Sequence, residues 1–537
     1  MLFNSTEFIL GFLPLTLVAF FLLGRASRNL ALGSLILASL IFYAWWRPFN
    51  VVLIAPSIIV NFTLARMMER LDQDERRALL RKSILVVGIV FNIAFLGYFK
   101  YINFLRGTIN DVFSANLVLS EIILPLGISF ITFQKIAFLV DVYAKRVKMF
   151  TLQDYALFVL FFPQLIAGPI VHFREVMPQF HAAPCRFEAR NISVGLTLLV
   201  FGLFKKVVIA DRIAPLVSPV FDQAAELGGA SFLLSWMAAI GFTLQIYFDF
   251  SGYSDMALGL ARLFGIVLPQ NFNSPLKASS IIEFWSRWHM TLTRFLTAYI
   301  YNPLVLSLSR RRAAKVVAGT AATAGKLESF LHFLVFPTIT TMLVAGIWHG
   351  AGYTFIVWGL LHGAYLAINH GWRLVRPMVW RDRASYERWM RPIGWVLTFV
   401  AVVIAMVWFR SSSCAVALDM MKGMIGANGV ALPGTIVEHL GSTGLQIKST
   451  PYTAYNFMSL AAWIAAALFV ALAFPNTLEI LAGHEPALGV RPDAKQSAFA
   501  AAITWRPSLA WTCGMSVMAF IAILSLGGPS AFLYWQF

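Results

Sequence analysis

Charge is scarce in this sequence. Only 12% of its 537 residues are Asp, Glu, Lys or Arg, against roughly 25% in an average soluble domain, and no stretch is polar enough to form a separate soluble domain or linker. Cysteine is scarcer: Cys185, Cys414 and Cys513 stand far apart, a spacing that excludes a disulfide framework and a zinc site, so no metal is expected. The apolar–polar alternation of barrel strands is missing, which excludes a β-barrel. Met1 to Glu7 carry no basic n-region and no small-residue cleavage site follows, so the first apolar stretch is expected to be retained. What the sequence has instead is apolar runs from end to end, with 59% hydrophobic residues and a mean hydropathy of +0.73. These runs predict an all-α polytopic membrane protein embedded in a lipid bilayer.

The runs resolve into about a dozen transmembrane or re-entrant elements. They start at Phe8 to Leu23, pass through Leu30 to Trp45, Val51 to Leu64, Ile84 to Phe99 and Leu124 to Tyr143, and end at Leu509 to Leu526. Leu157 to Ile170 is broken by Pro163 and Gly168-Pro169, which suits a re-entrant segment buried in protein. The net charge of +17 sits in short loops such as Arg66 to Lys82, Lys145 to Lys148, Arg310 to Arg312 and Arg373 to Arg391. That is the pattern of cytoplasmic loops beside anionic lipid, with the N-terminus outside. Nucleic acid is not an expected partner, since no soluble domain would carry it. Gly426 to Thr453 is expected to be an extramembrane loop, and no internal repeat of the transporter kind is evident.

Two histidines lie where a membrane protein would place leucine: His289, after Trp285 and Trp288, and His349, after Trp348. A titratable group at that depth is costly and marks a functional site by default, and imidazole suits proton transfer near neutral pH. Projected on one continuous helix, Trp285, His289, Leu292 and Leu296 share a face, with Arg287, Thr291 and Arg294 roughly opposite. Gly350-Ala351-Gly352 should stop the helix that ends on His349. Asp249, Ser251, Tyr253, Ser254 and Asp255 form the most polar run at membrane depth; they line either a tunnel wall or, more plainly, a hydrogen-bonded network inside the bundle. Lys205 and Lys206 read as interfacial lysines, and His332, His362 and His370 as structural residues with no motif behind them.

An ordered set of motifs then carries a resemblance. Leu124-Pro125-Leu126-Gly127-Ile128-Ser129-Phe130, Phe162 to Ile170, Leu203-Phe204-Lys205-Lys206, Tyr247 to Asp255, Gln270-Asn271-Phe272, Phe284 to His289, Gly346 to Gly350, Trp408-Phe409-Arg410 and Pro475-Asn476-Thr477 together resemble the membrane-bound O-acyltransferase superfamily, in particular its bacterial alginate O-acetyltransferase branch. The resemblance implies helices ringed around a central funnel or tunnel, with His349 matching the family's active-site histidine and His289 its second histidine. It also implies a bacterial inner-membrane enzyme. An acyl group, acetyl on this resemblance, would pass from a cytoplasmic thioester of coenzyme A or an acyl carrier protein to an exopolysaccharide or cell-surface glycan. The glycan would be reached directly or through a periplasmic esterase-like acetyltransferase partner, with no bound cofactor.

On this reading residues 1–537 form one membrane-embedded acyltransferase domain. Residues 1–115 are its N-terminal helices, 116–375 the motif-bearing catalytic core and 376–537 C-terminal helices with an aromatic tail. The tail, Leu533-Tyr534-Trp535-Gln536-Phe537, is either an interfacial anchor or, by likeness to a small partner in D-alanyl transfer systems, a site where Tyr534 relays the acyl group. Two other activities fit the residues: transfer of D-alanine to a wall polymer, and a transporter or channel whose histidines relay protons.

Overall fold

The computed structural model describes residues 1–71, 75–118, 120, 122–182, 185–222, 230–318, 325–440, 448–450, 452–490, 498–527 and 533. Among them eight helical stretches are long and apolar enough to cross a membrane, and Arg28–Ala44 and Leu509–Leu524 are shorter apolar helices. Helix is the form these sequences must take in lipid, because it satisfies every backbone donor and acceptor within the segment. Side-chain caps close several starts: Thr151 and Asp154 form a reciprocal box before Leu152–Leu160, and the Asp382 carboxylate accepts from the Ala384 amide ahead of Arg383–Arg410. Among the described residues, the expected extramembrane segment 426–453 carries secondary structure. It holds the strands Ala431–Pro433 and Lys448–Thr450, paired in parallel with Leu432 opposite Ser449, and the helix Gly434–Leu440.

The chain packs into two compact units that cut across the three segments expected from the motifs. One comprises Met1–Val207, Ser251–Asn271 and the described residues from Thr477 onward, the other Val208–Phe250 and Phe272–Asn476. In the first unit the broken stretch is two short helices, Leu152–Leu160 and Phe162–Leu165, with Phe158, Phe161 and Phe162 fully buried. Irregular backbone is tolerated there because protein, not lipid, surrounds it. Helix Ala189–Phe204 lies directly on the later part of Phe232–Leu263: a Cβ on Gly202 would sit 2.4 Å from the Gly252 carbonyl oxygen. The adjoining lysines are engaged with protein. Lys205 Nζ bonds Asp255 at 2.6 Å, and Lys206 is 2% exposed, because the close approach of these two helices draws both lysines inward. Lys135, also buried, donates to the Ser57 hydroxyl at 2.6 Å.

The second unit is organised around helices Phe336–His349 and Tyr353–Val379. Glycine lets them touch backbone to backbone: a Cβ on Gly346 would lie 2.3 Å from the Phe355 carbonyl oxygen, and one on Gly359 would lie 2.5 Å from the Met342 carbonyl oxygen. The Arg383–Arg410 helix runs beside them. Arg410 fixes its end through Asp222 at 3.1 Å and by lying over the Phe221 ring.

Candidate active site

The site grows from the segment around Glu283. The Ser280 hydroxyl accepts from the Glu283 amide at 3.2 Å and so caps helix Ile281–Arg287. The Glu283 carboxylate accepts from the Ser279 amide at 2.8 Å, the Ser279 hydroxyl at 2.9 Å and Arg287 Nη2 at 2.8 Å. Burial works against its charge, but those hydrogen bonds and the Arg287 guanidinium outweigh it and hold the carboxyl below the usual range.

The single helix expected through His289 is not what forms. Helix Ile281–Arg287 ends, Trp288 is extended, and His289 is left-handed at φ 41°, ψ 51° before Met290–Leu296 begins. A tertiary contact meets the chain at the break. The Arg287 carbonyl, which a continuing helix would offer to Thr291, instead accepts the Asn273 amide at 2.9 Å, and Arg287 Nη1 returns a bond to the Asn273 carbonyl at 3.2 Å. Thr291, expected on an outer face, is buried as a result. His289 itself is 0% exposed, with its ring edge-on to Phe250 at 4.8 Å and parallel to Phe272 at 6.4 Å. A left-handed conformation is uncommon for a residue with a side chain and is held by its surroundings, a pattern that clusters at functional sites.

His349 is the last residue of its helix, as the following glycines predicted, and is 5% exposed. Gly350 is extended rather than left-handed, so its requirement is space: a Cβ there would fall 2.1 Å from the Phe355 ring. The imidazole is enclosed by Trp348 at 4.8 Å, Trp358 at 5.0 Å and Phe409 at 5.2 Å between ring centroids. The Trp348 ring also stands 6.4 Å from His289, so one indole touches both histidines. Trp288 packs behind them against Phe272 and Phe284.

His362, read from sequence as structural, is packed into the same aromatic cluster. It is 0% exposed, 4.8 Å from the Trp358 ring that also meets His349, and Trp285 Nε1 donates to its Nδ1 at 3.2 Å. That bond leaves the proton of a neutral imidazole on Nε2, which has no hydrogen-bond partner among the described residues. Phe355, Trp358, Gly359, His362 and Gly363 form the buried stripe of their helix.

The polar run is divided between the units. Asp249 is buried in the second unit. In the first, Tyr253 stacks on Phe3 at 4.8 Å, the Ser254 hydroxyl accepts from Asn271 Nδ2 at 3.1 Å, Asp255 takes Lys205, and Ser251 is buried with its hydroxyl unbonded among the described residues. Tyr534 lies outside the described residues.

The model of MBOAT, the membrane-bound O-acyltransferase family, matches residues 39–323, a span that includes His289 and stops short of His349. A peptidoglycan O-acetyltransferase of Helicobacter pylori is 38% identical over 80% of this chain and 81% of its own length. A probable alginate O-acetylase AlgI of Pseudomonas aeruginosa is 33% identical over the full length of both chains. A teichoic acid D-alanyltransferase of Streptococcus thermophilus is 31% identical over 53% of this chain and 68% of its own. The chain is therefore a multi-pass membrane protein and an O-acyltransferase, and it belongs to the membrane-bound O-acyltransferase family.

Proposed function

We propose that the protein takes an acetyl group from acetyl-CoA on the cytoplasmic side of a bacterial inner membrane and delivers it toward the hydroxyls of a cell-surface glycan or exopolysaccharide, with His349 as general base. The observation that carries this reading is the enclosure of His349 by Trp348, Trp358 and Phe409 at a glycine-terminated helix end. Water is kept from the imidazole there, and an activated thioester can be attacked by an alcohol rather than hydrolysed. The imidazole takes the proton of the acceptor hydroxyl as its oxygen bonds the thioester carbonyl carbon. Collapse of the tetrahedral intermediate breaks the C–S bond, and the imidazolium returns the proton to the departing thiolate. His289, held rigidly by its left-handed backbone and sharing Trp348 with His349, is suited to orient the acceptor or polarise the carbonyl.

Acetyl is favoured over D-alanyl because the likeness to the alginate O-acetylases runs the full length, whereas that to the D-alanyltransferase covers 53% of the chain. On this reading a periplasmic esterase-like partner completes delivery, and Tyr534 is the site where the acetyl group waits for it. Purified protein in proteoliposomes, offered labelled acetyl-CoA or a labelled D-alanyl carrier thioester with an oligosaccharide acceptor, tests the reading. Ester-linked label is expected from acetyl-CoA. Label transfer from the D-alanyl carrier alone, or solute flux without any ester formed, overturns it.

A further inference from the structure

Two buried donors in the aromatic cluster lack an acceptor among the described residues: Trp358 Nε1 and His362 Nε2. Trp358 is 1% exposed and His362 0%, so neither donor is met by bulk water. An indole nitrogen can only donate. The imidazole is fixed as a donor as well. Trp285 Nε1 gives its hydrogen to His362 Nδ1 at 3.2 Å, which requires that nitrogen to be bare and puts the single proton of the neutral ring on Nε2. Leaving one buried donor unmet costs about 1–3 kcal/mol, and this cluster carries that cost twice. Donors kept at such a cost call for an acceptor from outside the chain.

Both donors stand beside the base. Trp358 and His362 are one turn apart on the same face of helix Tyr353–Val379, with ring centroids 4.8 Å apart, and Trp358 meets the His349 ring edge-on at 5.0 Å. Their helix cannot rotate to turn them away. A Cβ on Gly359 would lie 2.5 Å from the Met342 carbonyl oxygen, and one on Gly363 would lie 3.0 Å from the Ile339 Cα, so both flanking turns are pressed against helix Phe336–His349. The surroundings are aromatic: Phe409 lies 5.4 Å from Trp358 and Phe284 runs parallel to His362 at 6.4 Å. Donors held rigidly in such a low-dielectric setting interact with charge far more strongly than they would in water.

We propose that Trp358 Nε1 and His362 Nε2 form an oxyanion hole for the acyl carbonyl that reacts at His349, which makes both of them catalytic residues. This rests on the thioester reading above and deepens it. As the acceptor oxygen bonds the carbonyl carbon, the carbonyl π pair moves onto its oxygen, and the two N–H groups hold that charge without giving up their protons. The pair of electrons returns to the C=O bond as the C–S bond breaks, and the thiolate takes its proton from the His349 imidazolium. A neutral imidazole is suited to this task, because it donates a hydrogen bond without competing as an acid. His289 is then left to orient the acceptor hydroxyl.

Two replacements of His362 separate its donor from its acceptor. Glutamine offers an amide N–H near the place of Nε2, whereas asparagine offers an oxygen near the place of Nδ1 and no donor at Nε2. Single-turnover acyl transfer is measured on full-length protein in proteoliposomes, with thermal unfolding of the same preparation. His362→Asn and Trp358→Phe are each expected to slow transfer by about 10²–10³-fold with donor affinity retained, and His362→Gln by no more than about tenfold. The second readout is the infrared carbonyl band of isotope-labelled acetyl-CoA bound to His349→Ala protein, which holds the thioester without consuming it. That band is expected below its frequency in solution and should return toward it when His362→Asn is added. A fast His362→Asn with a slow His362→Gln assigns His362 to holding Trp285 and overturns the proposal, as does a carbonyl band that His362→Asn leaves in place. Variants that lower only the unfolding temperature make the pair a water site and overturn it too. No bound acetyl-CoA band, with transfer from a D-alanyl carrier thioester instead, sinks the acetyl-CoA reading alone. The same order of variant rates on that thioester then supports the pair, and a different order overturns it.

Discussion

Replacing Gly346 with alanine should separate chemistry from folding in one step. The new Cβ would start 2.3 Å from the Phe355 carbonyl oxygen, where ordinary contact begins at 3.4 Å, so helices Phe336–His349 and Tyr353–Val379 must part by roughly 1.1 Å. Neither side can yield cheaply, since the obstacle is backbone. Overpacking of this kind costs about 1–3 kcal/mol, which leaves the protein folded. His349 ends one of these helices and Trp358 sits on the other, so the same displacement opens their 5.0 Å contact. A misplacement of about 1 Å in a catalytic constellation costs on the order of 10²-fold in rate. Acetyl transfer in proteoliposomes and thermal unfolding in detergent, measured on the same preparation, read both effects. Gly97→Ala is the control: nothing lies within 4 Å of its Cβ, and it should be neutral or stabilising by about 0.5–1 kcal/mol. Wild-type turnover and wild-type stability in Gly346→Ala would refute the claim that this helix contact sets the histidine.

Other outcomes follow from single interactions. Trp285→Phe keeps a ring but removes the donor to His362 Nδ1; leaving that buried acceptor unmet should cost about 1–3 kcal/mol, seen as a lowered unfolding temperature, and an unchanged unfolding temperature would contradict it. Asp255→Asn strips the partner from Lys205 and should destabilise by about 3 kcal/mol, whereas the double variant Lys205→Met, Asp255→Leu should recover most of the loss; a double variant as unstable as the single would contradict this in detergent unfolding. Removal of residues 533–537 should abolish delivery of the acetyl group with folding intact, and full activity in the truncated protein would rule out a relay at Tyr534.

Much of the architecture was legible because lipid imposes one rule on every segment. Apolar length alone located the long helices, and Pro163 with Gly168-Pro169 located the buried break. The helix stop after His349 was legible in its glycines, although the reason at Gly350 is the Phe355 ring rather than a left-handed cap. What escaped was decided by contacts between distant residues. The helix through His289 breaks because Asn273 takes the Arg287 carbonyl, and no local propensity announces a left-handed histidine. Lys206 is buried beside the close contact of Gly202 and Gly252, a tertiary approach that its apolar neighbours in sequence do not announce.

The central claim is that His349 removes the acceptor proton. The most direct measurement is the single-turnover rate of acetyl transfer by His349→Ala in proteoliposomes, alongside a check that coenzyme A still binds. The account predicts a rate lower by about 10²–10⁴-fold, the usual contribution of a general base, with donor affinity retained. A His349→Ala protein that transfers acetyl at the wild-type rate contradicts it.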